Sequence, residues 1–288
     1  MNNRLREDIE SNPKIAHQIE LETLYNKNQL LKRVRHEFTS NKQVDLHAYM
    51  NARSIDPEFG YDLLVQLVLH KRTSLPTMVG ILRRHADRRE FGTLQSVADM
   101  ILRCCEHDLC DWSPLTEQLI VRFDITSDVQ DELDRYQFPL PMVVEPRELR
   151  KNTDSAYIIT GDGGGSVILR NNHHDDDVCL DHLNRVNKIK FTLDNDTAKM
   201  IANRWRNLDK PKPGETRQDF EKRKRAFDKF DRTARRVMEQ VTQMGNEFHL
   251  THKYDKRGRV YCQGYHVNYQ GAAWNKAVIQ LAEKELVP

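Results

Sequence analysis

A change of character near Phe138 is the feature of this sequence that most constrains its fold. Up to that point apolar residues recur at helical spacing and the breaks between them are short. Pro139, Pro141 and Pro146 then follow in quick succession, and proline at this density interrupts helices and favours extended backbone. The pattern predicts a mainly α protein, with a helical N-terminal domain over residues 1–137 and a mixed region after it.

Five helices are predicted in the N-terminal domain from capping residues and apolar spacing. They cover about 12–38, 58–72, a segment after Ser74, 92–105, and a segment opened by Ser113-Pro114. The face of the fourth helix that is predicted to be buried consists of Leu94, Val97, Ala98, Ile101 and Leu102. None of these segments indicates a function by its chemistry.

Residues 138–215 are predicted to form a connecting region with a β-hairpin and a helix. Stretches 157–160 and 167–169 have strand-like composition on either side of the glycine-rich stretch 161–165. That stretch lacks the Lys-Ser/Thr of a phosphate-binding P-loop, and Asp162 would repel a phosphate, so a hairpin tip is the favoured interpretation. A helical pattern then covers about 178–208.

A basic helix, or a pair of helices, is predicted between residues 216 and 247. Residues 199–236 contain 14 Lys or Arg against 6 Asp or Glu, a local net charge of +8 in a chain of net charge +2. Thr216 and Asp219 form a capping box, and Gly245 is a natural stop. The apolar stripe of this segment consists of Phe220, Phe227, Phe230, Ala234, Val237, Val241 and Met244. The predicted basic nucleic-acid surface consists of Arg223, Lys224, Arg225, Arg232, Arg235 and Arg236. An ordinary solvated helix face is the alternative.

Composition indicates a protein without a membrane-spanning segment, and its Cys and His residues do not predict a metal site. Hydrophobic residues make up 38% and charged residues 31%, and no apolar run approaches the ~20 residues that cross a bilayer, so no membrane partner is expected. Five cysteines favour reduced thiols over a disulfide framework. Two groups contain metal-capable side chains, Cys104, Cys105, His107 and Cys110 in one, and His173, His174 and Asp175 in the other. Neither has the spacing of a four-coordinate site, so no metal site is predicted in this chain.

The most specific pattern lies near the C-terminus. The run from Asp255 to Tyr261 reads D-K-R-G-R-V-Y, and it is followed by N-Y-Q-G at 268–271 and by Lys276. This pattern resembles the T/DxxGR motif of the phage-type and mitochondrial single-subunit DNA-directed RNA polymerases, together with their trailing N-x-Q-G and lysine. The spacer between Tyr261 and Asn268 is one residue longer than in the best-known member of that family.

The resemblance continues upstream in a weaker form. Residues 141–146 and 163–165 resemble the family's P-x-V-V-P-P and glycine-rich stretches without the aromatic-rich insert, and 183–190 resembles the helix with N-x-x-x-W-K-I-N. The resemblance implies that 216–247 is a reduced, thumb-like part and that 248–288 is the first β-strand and helix portion of a polymerase palm. Residues 1–137 are compatible with the family's helical N-terminal domain.

The resemblance also implies roles for individual residues. Template and hybrid binding is implied for Asp255, Arg257, Gly258, Arg259, Tyr261 and Lys276, with Asn268, Gln270 and Gly271 in support. In particular, Arg259 is implied to contact the template and the RNA–DNA hybrid, Asp255 to orient the turn, and Lys276 to face the initiating nucleotide or hybrid. No residue of this chain is implied to be catalytic.

The family's catalytic aspartates have no counterpart in this sequence. They follow the DxxGR motif, one of them in an H-D-S turn, and hold two Mg²⁺ ions. Here His107-Asp108 is followed by Leu109 in a helical context, and Pro288 lies only 29 residues after Arg259. Two explanations remain, a truncated piece of a longer polymerase and a natural subunit. We favour a natural smaller subunit, similar to that of the split, heterodimeric middle-gene RNA polymerases of Schitoviridae-type podophages. A larger partner chain is expected to supply the aspartates and to bind the Mg²⁺.

The expected partners follow from this interpretation. They are the catalytic second subunit, the DNA template and the RNA transcript, in the cytoplasm of a host bacterium. The reduced thumb and the lack of an evident specificity loop suggest a helper protein that binds single-stranded DNA or recruits the promoter. The partner chain is expected to bury the apolar face of a helix over 272–283, including Trp274, Val278 and Leu281. The alternative is a non-catalytic, helical nucleic-acid-binding or transcription regulatory protein in which the DxxGR run is accidental. A third possibility is a zinc-binding module, which predicts stoichiometric metal in the purified protein.

Overall fold

The computed structural model describes residues 12–25, 27–40, 45–87, 92–159, 165–172, 174–205 and 208–284. In these ranges the chain is mainly α-helical with small antiparallel sheets, which confirms the predicted class. No helix in them is long and apolar enough to cross a membrane. The chain divides into two compact units: Lys27–Asp134, which we call the helical unit, and Met1–Asn26 with Arg135–Pro288, which we call the mixed unit.

The described residues form these helices and strands, in chain order: α1 (Pro13–Tyr25), α2 (Lys27–Thr39), α3 (Leu46–Asn51), α4 (Pro57–His70), β1 (Arg72–Ser74), α5 (Leu75–Leu82), α6 (Leu94–Glu106), β2 (Asp111–Ser113), β3 (Gln118–Ile120), α7 (Ser127–Tyr136), α8 (Leu180–Lys188), β4 (Lys190–Leu193), α9 (Asn195–Met200), α10 (Arg217–Gln243), β5 (Phe248–His249), β6 (His252–Tyr254), β7 (Val260–Cys262), α11 (Ala273–Val278) and β8 (Ile279–Leu281). Short 3₁₀ turns occupy Arg83–His85 and Leu169–Asn171.

The helical unit packs amphipathic helices and a small sheet around an apolar core. The side chains of Asp56, Ser74 and Thr93 cap α4, α5 and α6 by accepting from backbone N–H groups, and Ser74 precedes its helix as predicted. The sheet has the order β1-β3-β2 and is antiparallel throughout. Fully buried core side chains include Val34, Met50, Phe59, Leu63, Leu67, Met78, Val97, Ile101 and Leu119.

The mixed unit contains the other two sheets. In the first, β4 is central and pairs with β5 on one side and with β8 on the other. In the second, β6 and β7 form an antiparallel hairpin. Isolated bridges join Met142 to His249 and Ile168 to Tyr254. One segment of the proline-rich region and one that follows the glycine-rich stretch thus pair with strands of the two sheets.

Buried polar side chains of α1 organise the extended segments of the mixed unit. Gln18 Oε1 accepts from the backbone N–H of Val143 at 2.9 Å. The carboxylate of Glu22 accepts from the backbone N–H groups of Ile158 and Ile159 and from the Gln18 amide. Burial raises the pKa of Glu22, while these hydrogen bonds and the charge of Arg147 oppose the rise. Two side chains of one helix thus replace the sheet partners that these backbone groups lack.

The basic helix is one continuous element, α10, with 27 residues. Thr216 accepts from Asp219 N–H and its hydroxyl donates to the Asp219 carboxylate, which confirms the predicted capping box. Ala234, Val237 and Val241 of the predicted apolar stripe are buried, whereas every residue from 217 to 232 is exposed or half-buried. The C-terminal half of α10 is therefore anchored in the mixed unit by burial and the N-terminal half is not.

Several sequence predictions in the helical unit are wrong in detail. Ser113-Pro114 opens no helix, because the residues around it form the β2–β3 hairpin, in which Trp112 pairs with Leu119 and Glu117 adopts φ 50°. The fourth predicted helix exists as α6, but Leu94 and Leu102 are 55% and 40% exposed, so its buried face is narrower than predicted. The predicted helix 12–38 is divided between α1 and α2, which belong to different units.

In the mixed unit, the predicted helix 178–208 and hairpin 157–169 are also wrong. The helical pattern is interrupted by β4, since the β-favouring run after Lys188 pairs with β5 and β8. Residues 157–159 form no named strand, because the Glu22 carboxylate takes their backbone N–H groups, and Leu169 begins a 3₁₀ turn. The glycine-rich stretch 161–164 and Thr160 lie outside the described residues. The predicted helix 272–283 is shortened to α11, because Ile279–Leu281 joins the sheet as β8.

Candidate nucleic-acid interface

The D-K-R-G-R motif forms the turn of the β6–β7 hairpin, and Asp255 holds that turn in place. Its Oδ1 accepts from the backbone N–H groups of Arg257 and Arg259 at 2.8 and 3.0 Å. The main chain closes the turn through Asp255 N–H to Arg259 O at 2.8 Å and Gly258 N–H to Asp255 O at 3.0 Å. Gly258 has φ +75°, with open space around the position of a Cβ, so glycine is required here by backbone conformation and not by crowding.

The same carboxylate orients the two arginines of the motif. Asp255 Oδ2 accepts from Arg259 Nε at 2.9 Å and from Arg257 Nη2 at 3.1 Å. The side chains of Arg257 and Arg259 nevertheless stay 70% and 53% exposed, and the Arg259 guanidinium lies 5.6 Å from the ring centroid of Tyr261. Burial would raise the pKa of Asp255, but hydrogen bonds from Arg259 and its positive charge outweigh burial and lower it. The turn therefore presents two oriented cations to solvent.

The N-Y-Q-G segment braces the open edge of β7. Gln270 Oε1 accepts from Cys262 N–H at 2.9 Å, and its Nε2 donates to Val260 O at 3.2 Å. Asn268 fixes the approach to this brace, because its Nδ2 donates to Gly264 O and its Oδ1 accepts from Gln270 N–H. A Cβ on Gly271 would lie 2.8 Å from Asn268 O, so this glycine is required by a close approach. Asn268, Gln270 and Gly271 act together on the hairpin that carries the motif.

A buried polar chain links the hairpin to α8, which sequence reasoning did not anticipate. His252 Nδ1 lies 2.9 Å from Asn187 Oδ1, and His252 Nε2 lies 2.9 Å from the Tyr269 hydroxyl. Burial, with the nearby His182, lowers the pKa of His252 to about 4, and this geometry suits a neutral imidazole with Nδ1–H as donor and Nε2 as acceptor. The sequence offered one signal for this chain. Asn187 and Tyr269 lie inside the stretches 183–190 and 268–271, which resemble the polymerase family, and His252 lies just before the run 255–261.

Apolar packing reinforces the same connection. A cluster of buried side chains lies against the hairpin and contains Leu149, Ala156, Val167, Ile168, Leu183 and Tyr254. The Tyr254 hydroxyl donates to Cys179 O at 2.8 Å, and the Asn184 side chain exchanges two hydrogen bonds with the backbone of Leu149. The stretches 183–190, 252–262 and 268–271 are therefore parts of one packed assembly.

The predicted basic surface on α10 is not uniform. Arg223 forms a two-bonded ion pair with Glu215 at 2.8 and 2.7 Å and is only 17% exposed, and the hydrogen bonds from Arg223 help to lower the pKa of Glu215 to about 2. Arg235 bonds to Asp231 and lies over the ring of Trp274. The remaining predicted members of the surface are exposed: Lys224, Arg225, Arg232 and Arg236. The exposed charge of this surface therefore comes from its other members and not from Arg223.

The C-terminal helix differs from its prediction in what buries it. Trp274 and Val278 are 4% and 0% exposed within this chain alone, and the Trp274 indole donates to Ile201 O at 2.9 Å. Leu281, by contrast, is 56% exposed on β8. The expectation that a partner chain buries Trp274 is therefore wrong, since α10 and the segment after α9 already surround this ring. Lys276 is exposed on α11.

The cysteines remain free thiols, and two of them are adjacent. Cys105 Sγ and Cys110 Sγ lie 3.3 Å apart, and burial raises the pKa of the Cys104 thiol to about 12. In the parts of the chain that the structure describes, no three His, Cys, Asp or Glu side chains are grouped so that they could hold a metal ion. His173, one member of the second metal-capable group, lies outside those parts.

Comparison with known proteins identifies no relative: no protein-family model matches the sequence, and no curated protein matches it. Any functional conclusion therefore depends on the sequence motif and on the geometry of the hairpin that carries it.

Proposed function

We propose that this chain is the smaller subunit of a heterodimeric, phage-type DNA-dependent RNA polymerase that transcribes viral, middle genes. The observation that carries the proposal is the assembly around His252. Direct side-chain hydrogen bonds link three stretches there. Two of them, 183–190 and 268–271, resemble the polymerase family, and the third is the hairpin 252–262, which carries the resembling run 255–261. An accidental DxxGR run would need no such arrangement, whereas a palm segment that holds a nucleic acid needs a rigid support for its turn.

The chemistry of the turn suits a row of phosphates. Arg259 offers a planar guanidinium oriented by Asp255, and Arg257 adds a second cation beside it. In the proposal, Arg259 contacts the template and the RNA–DNA hybrid, Arg257, Gly258 and Tyr261 shape that contact, and Lys276 contributes a further cation. The exposed cations of α10 extend the contact as a reduced, thumb-like surface.

The proposal assigns nucleotidyl transfer to a second polypeptide. The sequence contains no His-Asp-Ser turn. Mg²⁺, held by carboxylates of that partner, would supply the charge stabilisation that phosphoryl transfer requires. The residues of this chain would bind and orient the hybrid. The complex would act in the cytoplasm of the infected bacterium, together with a helper protein that binds single-stranded DNA or recruits the promoter.

The test is co-expression with a chain that carries the family's catalytic motifs, followed by RNA synthesis on a denatured DNA template. The wild-type complex should synthesise RNA, and the isolated 288-residue chain should not. Arg259→Ala should reduce synthesis by about 10- to 100-fold without preventing assembly, because a charged hydrogen-bonding contact near the reacting strand is lost.

Lys256→Ala is the matched control, since Lys256 is an exposed cation of the same turn with no assigned role. It should change synthesis less than about twofold, as expected for surface charge. Near-normal synthesis by Arg259→Ala, or synthesis by the isolated chain, would contradict the proposal.

A second candidate is a non-catalytic, helical nucleic-acid-binding or regulatory protein. The exposed cations Lys224, Arg225 and Arg232 on α10 favour it, because they need no partner chain to bind a polyanion. This candidate predicts salt-dependent nucleic-acid binding by the isolated chain and no RNA synthesis in any complex.

A further inference from the structure

A pocket lies beside the N-terminal half of α10, where the chain after α9 returns to the helix. It has a volume of about 300 Å³. Its walls are apolar, formed by Trp205, Leu208 and Phe227. Its polar lining residues are Arg204, Asp209, Lys224 and Asp228, all of them exposed. Aromatic walls and a charged, open rim are thus combined in one concave site of the mixed unit.

The aromatic walls are fixed by ring contacts. The centroid of the Trp205 ring lies 5.3 Å from that of Phe227, with 62° between the ring planes, and 5.6 Å from that of Phe230, with 43° between the planes. Phe230 in turn lies 5.5 Å from Tyr265, and Tyr265 stacks on Phe138 at 4.0 Å. Each ring orients the next, so a row of aromatic side chains extends from the pocket towards Tyr265, which is 45% exposed.

The charged residues that line the pocket, two cations and two carboxylates, balance each other, and the segment around them is net positive, which suits a polyanion. Residues 199–236 carry a net charge of +8, and Lys224 and Arg204 stand at the rim itself. An aromatic cluster that only stabilised a core would be buried and remote from charge, whereas Trp205 and Phe227 are half-buried and line the same pocket as the exposed cations Arg204 and Lys224. Asp209 and Asp228 add acceptors that amino groups of a nucleobase can use.

From this combination we infer that the pocket holds an unpaired base of a single-stranded nucleic acid, stacked on Trp205, while Lys224 and Arg204 contact the adjoining phosphates. Aromatic side chains within a basic groove are the general means of binding single strands without sequence preference. A duplex cannot use the pocket, because its base faces are covered by their neighbours. The inference deepens the proposed function by adding a strand-binding site to the thumb-like part, and it rests on that proposal only in its choice of ligand.

The experiment measures binding of a fluorescein-labelled oligo-dT 12-mer to the full chain by anisotropy, with the matching duplex as a second probe. Wild type should prefer the single strand. Trp205→Leu should weaken oligo-dT binding by about 5- to 100-fold, the range expected for loss of one stacked base, and Trp205→Phe should retain most of the affinity. Lys224→Gln should weaken binding at low salt and reduce its dependence on salt concentration by about one counterion.

Trp112→Leu is the matched control, because Trp112 is a half-exposed tryptophan of the helical unit, 38% exposed, and its replacement should leave binding unchanged. A second readout does not depend on the folding of a Trp205 variant. Trp112→Phe leaves Trp205 and the buried Trp274 as emitters. Oligo-dT should quench the Trp205 part of that emission by stacking, at the same concentrations that raise the anisotropy.

Normal oligo-dT binding by folded Trp205→Leu, binding without quenching, or equal affinity for the duplex would each overturn the inference. These results are independent of the test of the proposed function, since no partner chain is present. The two tests can also give different answers. If Trp205→Leu loses oligo-dT binding while the Arg259→Ala complex synthesises RNA normally, the strand-binding site is supported and the polymerase role of the turn is rejected.

Discussion

The helical unit and the mixed unit bury different kinds of side chain. In the helical unit the core is dominated by aliphatic and aromatic residues such as Phe59, Leu63 and Ile101. In the mixed unit, buried polar side chains bond to backbone groups of irregular segments, as Gln18 and Glu22 do for 143–159. Helices satisfy their own backbone groups, but extended segments without sheet partners need side chains to do so. The difference teaches that the mixed unit is specified by particular hydrogen bonds as well as by burial.

The largest effect is expected from truncation of the helical unit's core. Phe59 is fully buried, and its ring lies 5.1 Å from that of His85. Phe59→Ala should lower the free energy of unfolding by about 3–5 kcal/mol, because it removes apolar contacts and leaves a cavity. Urea unfolding, with hydrogen exchange of α4 and α6, provides the measurement. Leu115→Ala is the control, since Leu115 is 98% exposed and should cost less than about 0.5 kcal/mol.

A somewhat smaller effect is expected from one carboxylate in the mixed unit. Glu22→Ala leaves the backbone N–H groups of Ile158 and Ile159 without their acceptor and should lower the free energy of unfolding by about 2–3 kcal/mol. Glu20→Ala changes the same helix at a position whose side chain is 69% exposed, and it should be nearly neutral. Equal unfolding free energies for the two variants would break the contrast between the units.

The stability of the mixed unit should also depend on pH, by about as much as the effect of Glu22→Ala or less. This dependence tests the contrast between the two units, because it arises from a buried polar side chain. The pKa of His252 is lowered to about 4 in the folded chain, and burial also lowers the pKa of His249. The unfolded chain, with a histidine pKa of about 6.5, therefore binds more protons than the folded chain between these values, so stability falls as pH decreases. For His252 alone, about 2 kcal/mol should be lost between about pH 7 and pH 5.

Urea unfolding at both pH values measures this loss of stability. Hydrogen exchange of the β6 and β7 amides at the same pH values shows whether the loss includes the hairpin. His252→Gln should reduce the pH dependence, whereas His174→Gln, which removes an imidazole that is 45% exposed, should leave it unchanged. An unaltered pH dependence in His252→Gln would show that another group is responsible.

The sequence was most informative where a residue acts on its near neighbours. Thr216, Ser74 and Thr93 could be identified as caps because each bonds to a backbone group within three residues. The ordering of the turn by Asp255 was implied by the family resemblance, and it too depends on near neighbours, since its partners lie at positions 257 and 259. Local hydrogen bonds are encoded in spacing, so one sequence is enough to find them.

Interactions between distant segments were not accessible in this way. Glu22 bonds to residues 136 and 137 positions further along the chain, and nothing in either stretch signals the other. The same applies to Asn187, His252 and Tyr269, because their spacing in the sequence does not predict that their side chains are in contact. The hairpin at 111–120 was missed because Ser113-Pro114 is equally compatible with a helix start and with a turn. In each case a tertiary partner decided between local options.

One consequence of α10 concerns how such a protein can change over time. The helix is about 40 Å long, and only its C-terminal half contributes buried side chains. Arg223, Phe227 and Phe230 of the N-terminal half are constrained by their ion-pair and ring contacts. Substitutions at the exposed positions between Arg217 and Arg232 meet few packing constraints, and most should alter surface charge at little cost in stability. Surface charge can therefore change at the exposed positions of that half while the buried side chains of the other half preserve the fold.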